Sequence, residues 1–356
     1  MTRDKRVHAA GIFAALGGAL LLAWSIRAAG FHAVLDGALR LGSGFMVVFA
    51  LGGLRCVVRT VAWRLCLDDV SALSFRHAFS AYLAGGAIGN VTPFGFFISE
   101  PSKVVLVRDR VALTASIPAL AVENLFYTAS VALMLLGGTA AMLVVFSVPA
   151  AIEAGSVALV IAMLAAILGI AWIFWTRRPV GTAVARRFGL RTDRIGVIED
   201  RMFGFVERHP ERVWRVIACE VLFHAAAVFE IWFALRLITG VSPSLLTACV
   251  FEYVNRTITI AFQFVPMWLG VDEAGTGFIA SALGVGSAAG VTLALARKAR
   301  IVAWTAIGLA LWWPTTRASA TAPPPARAAR IHRPPTPAPA ARVFPAPRLS
   351  KRSTAE

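Results

Sequence analysis

Charge is scarce in this sequence. Only 15% of its 356 residues are Asp, Glu, Lys or Arg, where a soluble domain carries about 25%, and 58% are hydrophobic. Together with a mean hydropathy of +0.72, these departures match a lipid solvent and exclude an ordinary soluble globular protein. Short stretches of alternating polarity are missing too, which excludes a membrane β-barrel. Cysteine is rare: Cys56, Cys66, Cys219 and Cys249 stand in apolar runs without a CxxC pair, so they read as small core hydrophobes. No GxSxG, P-loop or glycine-rich dinucleotide motif occurs, and no His/Cys/Asp cluster has metal-ligand spacing. No cofactor, metal or soluble catalytic domain is therefore expected. Asp68-Asp69 comes nearest to a Mg²⁺ site, but nothing accompanies it, and it reads as a solvated interfacial pair.

What is abundant is apolar length. A helical crossing takes about 20 apolar residues, and residues 7–26, 44–67, 119–147, 155–175 and 214–235 each supply it. The sequence predicts an all-α polytopic integral membrane protein with about 7–9 membrane helices, two of its segments being broken or re-entrant in a pseudo-repeat. The basic start is followed by a full spanning run without a small-x-small cleavage site, so it reads as a first membrane helix rather than a signal peptide.

The net charge of +16 reports topology rather than nucleic acid. Residues 177–215 hold ten arginines against five acidic residues, residues 314–356 hold eight Lys/Arg against Glu356 alone, and the loop 148–154 holds only Glu153. Basic loops stay cytoplasmic. The N-terminus, the Arg-rich stretch 177–212 and the tail are thus expected on the cytoplasmic side of a bacterial-type inner membrane, facing anionic lipid headgroups. Within that stretch Ile195, Ile198, Met202, Phe205 and Val206 predict an amphipathic interfacial helix. The membrane domain is expected to span 1–313. The tail, 314–356, has 10 of the 18 prolines and almost no large apolar residues, which predicts disorder.

Two segments interrupt the apolar runs. The first runs from Gly85 through Asn90, Pro93 and Gly95 to Glu100 and Lys103; the second, from Gln263 through Pro266, Gly270, Asp272 and Glu273 to Gly275, lies in the last apolar block. Each has a proline, a nearby glycine and a glutamate seven residues after the proline. Proline and glycine break a helix, and broken backbone at membrane depth is tolerated only against protein or a watery cavity. Matching breaks in two halves of a membrane protein point to a repeat-built substrate site, with two simply kinked helices as the plainer reading.

These residues resemble the flippase-like domain family, the transmembrane regions of lysylphosphatidylglycerol synthases and their stand-alone relatives. Pro93, Gly95, Glu100, Lys103 and Glu123 fit the family's first hallmark, and Pro266, Leu269, Gly270, Glu273 and Ala274 fit its second. The chain departs from the pattern at Met267-Trp268, which replace two glycines, at Asp272, which replaces a basic residue, and at Ser99 and Asn124. The resemblance covers roughly residues 10–313 and implies lipid handling by a divergent member without the synthase domain.

Ionisable groups inside a membrane are costly, and their default reading is functional. Glu100 and Lys103, three apart, are placed to pair; Glu220 and His224 share a helix face. Arg55 and Arg59 share another, with Arg59 four before Trp63 as a cation–π candidate. Arginines facing a cavity, including Arg256, Arg297 and Arg300, would bind a lipid phosphate; snorkelling to the interface is the alternative for Arg55 and Arg300. The candidate substrate-binding set is Pro93, Gly95, Glu100, Lys103, Glu123, Arg256, Pro266, Gly270, Glu273 and Arg297. The expected partners are membrane lipids with anionic headgroups. The expected function is lipid translocation, with an accessory or transferase role in glycolipid, polyprenyl-lipid or hopanoid synthesis as the alternative.

Overall fold

The computed structural model describes residues 17–92, 94–145, 150–189 and 192–321. They are α-helical, with short 3-10 turns and no strand among them. The order is α1 (Gly17–Ala29), α2 (Phe31–Leu41), α3 (Phe45–Leu65), α4 (Phe75–Asn90), α5 (Phe96–Leu106), α6 (Leu113–Val145) and α7 (Ala150–Thr176). It continues through α8 (Val180–Arg187), α9 (Asp193–Arg208), α10 (Pro210–Thr239), α11 (Leu245–Ala261), α12 (Val271–Ala282) and α13 (Ser287–Thr321). Four stretches are long and apolar enough to cross a membrane: Phe31–Leu65, Leu113–Val144, Glu153–Ile173 and Pro210–Thr239. In Glu153–Ile173 only 6% of the apolar window is buried, so Ile161, Leu164 and Leu168 require an apolar surrounding outside the protein. The protein is an all-α membrane protein.

Helices α3 and α10 run antiparallel at the centre. Gly44 meets Leu237 at one end, and Arg212 donates to the Leu67 carbonyl at the other (2.8 Å). On one side Trp63, Leu67, Val104, Val107, Phe205 and Val216 form a core; on the other Val48, Ile231, Leu235, Phe251 and Leu293 form a second. A third, around Leu135, Met142, Val250 and Tyr253, joins α6 to α11.

Each half carries a broken hairpin followed by a long helix: α4, a turn, α5 and α6 in the first, and α11, a turn, α12 and α13 in the second. Gly89 and Gly95 let the first hairpin close, because a Cβ on Gly95 would lie 1.9 Å from the Gly89 carbonyl oxygen. The second break turns through Met267 (φ 54°), Trp268 (φ 52°) and Gly270 (φ 81°). Positive φ at Met267 and Trp268 is unusual for side-chain-bearing residues and persists only where surrounding contacts impose it.

The structure revises several expectations. An unforeseen amphipathic helix, α2, precedes α3 after a turn at Gly30 (φ 92°). Helix α7 begins at Ala150, so Glu153 belongs to its first turn rather than to a loop. The amphipathic stripe of α9 covers protein in part: Phe205 is buried and meets Phe126 of α6 edge-on. Of the Asp pair, Asp68 lies 3.7–3.9 Å from Arg201, Arg208 and His209, and Asp69 caps the turn at Ser71 (2.9 Å). The chain divides into compact units of residues 1–314 and 315–356. In the second unit the described residues, 315–321, are helical; the rest of the tail lies outside the described residues.

Candidate functional site

Between the two hairpins and the α3–α10 pair lies a cavity of about 470 Å³. The tips of the two hairpins meet there, and the Phe94 N–H, at the first break, donates to the carbonyl of Gln263 at the second (3.1 Å). Phe94 itself sits at φ 54°. Thr92, Gly95, Met267 and Trp268 bring both breaks into the cavity wall.

The wall is densely charged. Seven cations and seven carboxylates join in one set of buried or half-buried ion pairs. Arg59 of α3 reaches Glu123 of α6 (2.9 Å) and Glu220 of α10 (3.3 Å). Glu230 of α10 is shared by Arg300 of α13 (2.8 Å) and Arg55 of α3 (3.4 Å). Arg256 pairs with Glu252 (2.8 Å), Arg297 with Asp272 (2.9 Å), Lys103 with Glu100 (2.6 Å) and Lys298 with Glu273 (3.2 Å). Equal numbers of each sign satisfy the rule that charge survives burial only when paired.

The two signs are not equally placed. Six of these cations line the cavity (Arg55, Arg59, Lys103, Arg256, Arg297 and Arg300), against two of the carboxylates, Glu100 and Asp272. Glu123, Glu220, Glu230 and Glu252 hold the guanidinium groups without lining the cavity. The cavity face is therefore cationic while the network as a whole is neutral. Arg256 Nη2 and Arg297 Nε and Nη1 are buried donors without a hydrogen-bond partner. Leaving such a donor unmet costs about 1–3 kcal/mol, so each calls for an explanation.

The candidate residues from the sequence divide by position. Gly95, Glu100, Lys103, Arg256 and Arg297 line the cavity. Glu123, Pro266, Gly270 and Glu273 do not, and Pro93 lies outside the described residues. Glu123 is 1% exposed and holds Arg59. Glu273 is fully buried; it accepts from the Gly270 N–H (2.8 Å) and faces Lys298, whose ammonium also donates to the carbonyls of Met267 (2.7 Å) and Trp268 (3.0 Å). Glu273 and Lys298 thus clamp the second break from behind. The glutamate of the first break behaves differently: Glu100 faces the cavity and accepts from Asn124 (2.8 Å) as well as Lys103.

Sequence reasoning left Arg55 and Arg300 between cavity and interface and gave Arg59 a cation–π contact on Trp63. Their carboxylate partners draw them inward, and the signal for this was the matching set of acids on α6 and α10. The aromatic part of the site, Tyr82, Tyr127, Phe223 and Trp304, carried no signal among so many apolar residues. Arg59 stacks on Tyr127, its guanidinium carbon 3.8 Å from the ring centre, and not on Trp63, which is fully buried elsewhere. Glu220 and His224 do share a face, and both contact the Ser130 hydroxyl (3.1 and 3.0 Å).

No group of three or more His, Cys, Asp or Glu side chains suited to a metal occurs among the described residues. No curated protein and no solved structure matches the chain. Residues 9–310 match the profile of the family described as the lysylphosphatidylglycerol synthase TM region, in agreement with the resemblance carried by the two broken segments. The chain belongs to the lysylphosphatidylglycerol synthase transmembrane-region family.

Proposed function

We propose that the protein is a lipid translocase that takes the phosphate of a polar lipid headgroup into the cavity while the acyl chains stay in the surrounding bilayer. The observation that carries this reading is the cationic cavity face, six basic side chains against two acidic ones, set where the two broken hairpins meet. Guanidinium groups bind phosphate oxygens through paired, directed hydrogen bonds, and the unmet donors on Arg256 and Arg297 suit such a ligand. Carboxylates behind the wall fix the arginines in place, so little side-chain entropy remains to be lost on binding. We further place residues 177–212 and the C-terminal tail on the cytoplasmic side, on the arginine excess there.

The test is leaflet exchange. Purified protein is reconstituted into vesicles containing tail-labelled phosphatidylglycerol, and outer-leaflet label is quenched with dithionite. Exchange above that of protein-free vesicles is expected, falling about tenfold or more in Arg297→Gln, which removes one directed phosphate contact. Exchange equal to that of protein-free vesicles would overturn the proposal.

A further inference from the structure

We infer that the cavity selects lipids whose headgroup beyond the phosphate is uncharged and hydroxylated, and that it rejects headgroups carrying an ammonium group. This rests on the translocase reading and sharpens it, since a phosphate site alone would accept phosphatidylglycerol, phosphatidylcholine or an aminoacylated lipid alike.

An ammonium group leaving water needs a carboxylate or an aromatic face. The cavity wall has both, and the protein's own cations already hold both carboxylates and three of the five rings. Of the two carboxylates on the wall, Glu100 accepts from Lys103 and Asn124, and Asp272 accepts from Arg297 (2.9 Å) and Thr276 (3.1 Å). Three of the rings are claimed in the same way. Lys103 lies 4.4 Å from the centre of Tyr82, and Arg59 lies 3.8 Å from that of Tyr127. Arg55 and Arg256 lie 4.6 and 5.2 Å from the centre of Phe223. Trp304 is stacked on Phe49, with centroids 4.8 Å apart and planes 9° from parallel. The fifth ring on the wall, Trp268, is anchored through its indole N–H to the Thr259 carbonyl (3.0 Å).

An incoming ammonium group would therefore meet a surface of six cations whose two carboxylates are already paired, and like-charge juxtaposition of this kind is how a site discriminates against a wrong ligand. The polar side chains left over are neutral. Asn255 and Gln263 line the cavity with amide groups, which donate to and accept from hydroxyls. A glycerol- or sugar-type headgroup finds partners there.

Lys103 is the residue that masks most. It covers Glu100 and the face of Tyr82 at once, and all three line the cavity. Lys103→Gln uncovers a carboxylate and a ring together, turning part of the wall into an ammonium site.

The experiment compares three tail-labelled probes in otherwise identical vesicles: phosphatidylglycerol, phosphatidylcholine and lysylphosphatidylglycerol. With the wild-type protein, phosphatidylglycerol is expected to exchange about tenfold or more faster than either ammonium-bearing lipid. Lys103→Gln is expected to narrow that ratio by raising exchange of the ammonium-bearing probes. Equal wild-type rates for all three lipids, or faster exchange of lysylphosphatidylglycerol, would overturn the selectivity and leave the translocase reading standing. No exchange of any probe would overturn both. Failure of Lys103→Gln to fold leaves the wild-type comparison decisive, and a folded Lys103→Gln with an unchanged ratio refutes the masking argument.

Discussion

Replacing Arg59 by glutamine removes the cation that Glu123 and Glu220 share. Glu123 is 1% exposed, so solvent cannot replace the lost partner. Glu220 keeps the Ser130 hydroxyl as a donor (3.1 Å), so its loss is smaller. Removing one partner of a buried pair costs about 3–5 kcal/mol because an uncompensated charge is left behind. The stacking on Tyr127 adds about 1 kcal/mol. Arg59→Gln is therefore expected to destabilise the folded protein by about 4–6 kcal/mol. The triple change Arg59→Gln, Glu123→Gln, Glu220→Gln is expected to recover all but about 1–2 kcal/mol of that, because it removes both the orphaned charges and their desolvation cost. Arg59→Lys should fall between, since one ammonium cannot span two carboxylates as a planar guanidinium does. Denaturant unfolding in detergent micelles, followed by tryptophan fluorescence, measures each variant. A single variant as stable as wild type, or a triple variant no more stable than the single, would refute the reasoning.

Three further outcomes follow from the same geometry. Gly95→Ala and Gly270→Ala should each lower stability by about 1–3 kcal/mol in the same unfolding assay, because a Cβ would lie 1.9 Å from the Gly89 oxygen in the first case and 2.2 Å from the Gly18 oxygen, at φ 81°, in the second. Cysteines at Thr92 and Met267, in a background lacking Cys56, Cys66, Cys219 and Cys249, should react with a small polar thiol reagent and be protected by phosphatidylglycerol; unreactive cysteines at both would mean that the cavity wall is closed to water. Reporter fusions at Glu153 and Pro339 should give opposite topology signals, since arginine is concentrated in residues 177–212 and 314–356 while residues 148–154 hold only Glu153.

Much of this architecture was legible because a lipid solvent constrains composition so strongly. Apolar runs of spanning length located α3, α6, α7 and α10, since a membrane admits few alternatives to a self-satisfied helix. Proline and glycine located both breaks, since they remove a donor or loosen the backbone wherever they stand. The short helix α2 was not legible, because its apolar residues merge with those of its neighbours and only the turn at Gly30 separates them. Helix α13 was obscured by Arg297, Lys298 and Arg300, which lower its hydropathy although all three are buried.

By itself the sequence determined the solvent, the helical class, the family and the positions of the two breaks, because each depends on residue type and spacing along one segment. The tertiary structure decided which charge faces which. Glu100 and Glu273 hold equivalent places in the two breaks, yet Glu100 faces the cavity and Glu273 is turned into the Gly270 cap and Lys298. Arg59 and Glu123 are 64 residues apart and meet only because α3 and α6 pack side by side. Ion pairing across helices depends on distances that one-dimensional spacing does not contain, and those pairings turn a balanced set of buried charges into a cavity with a cationic face.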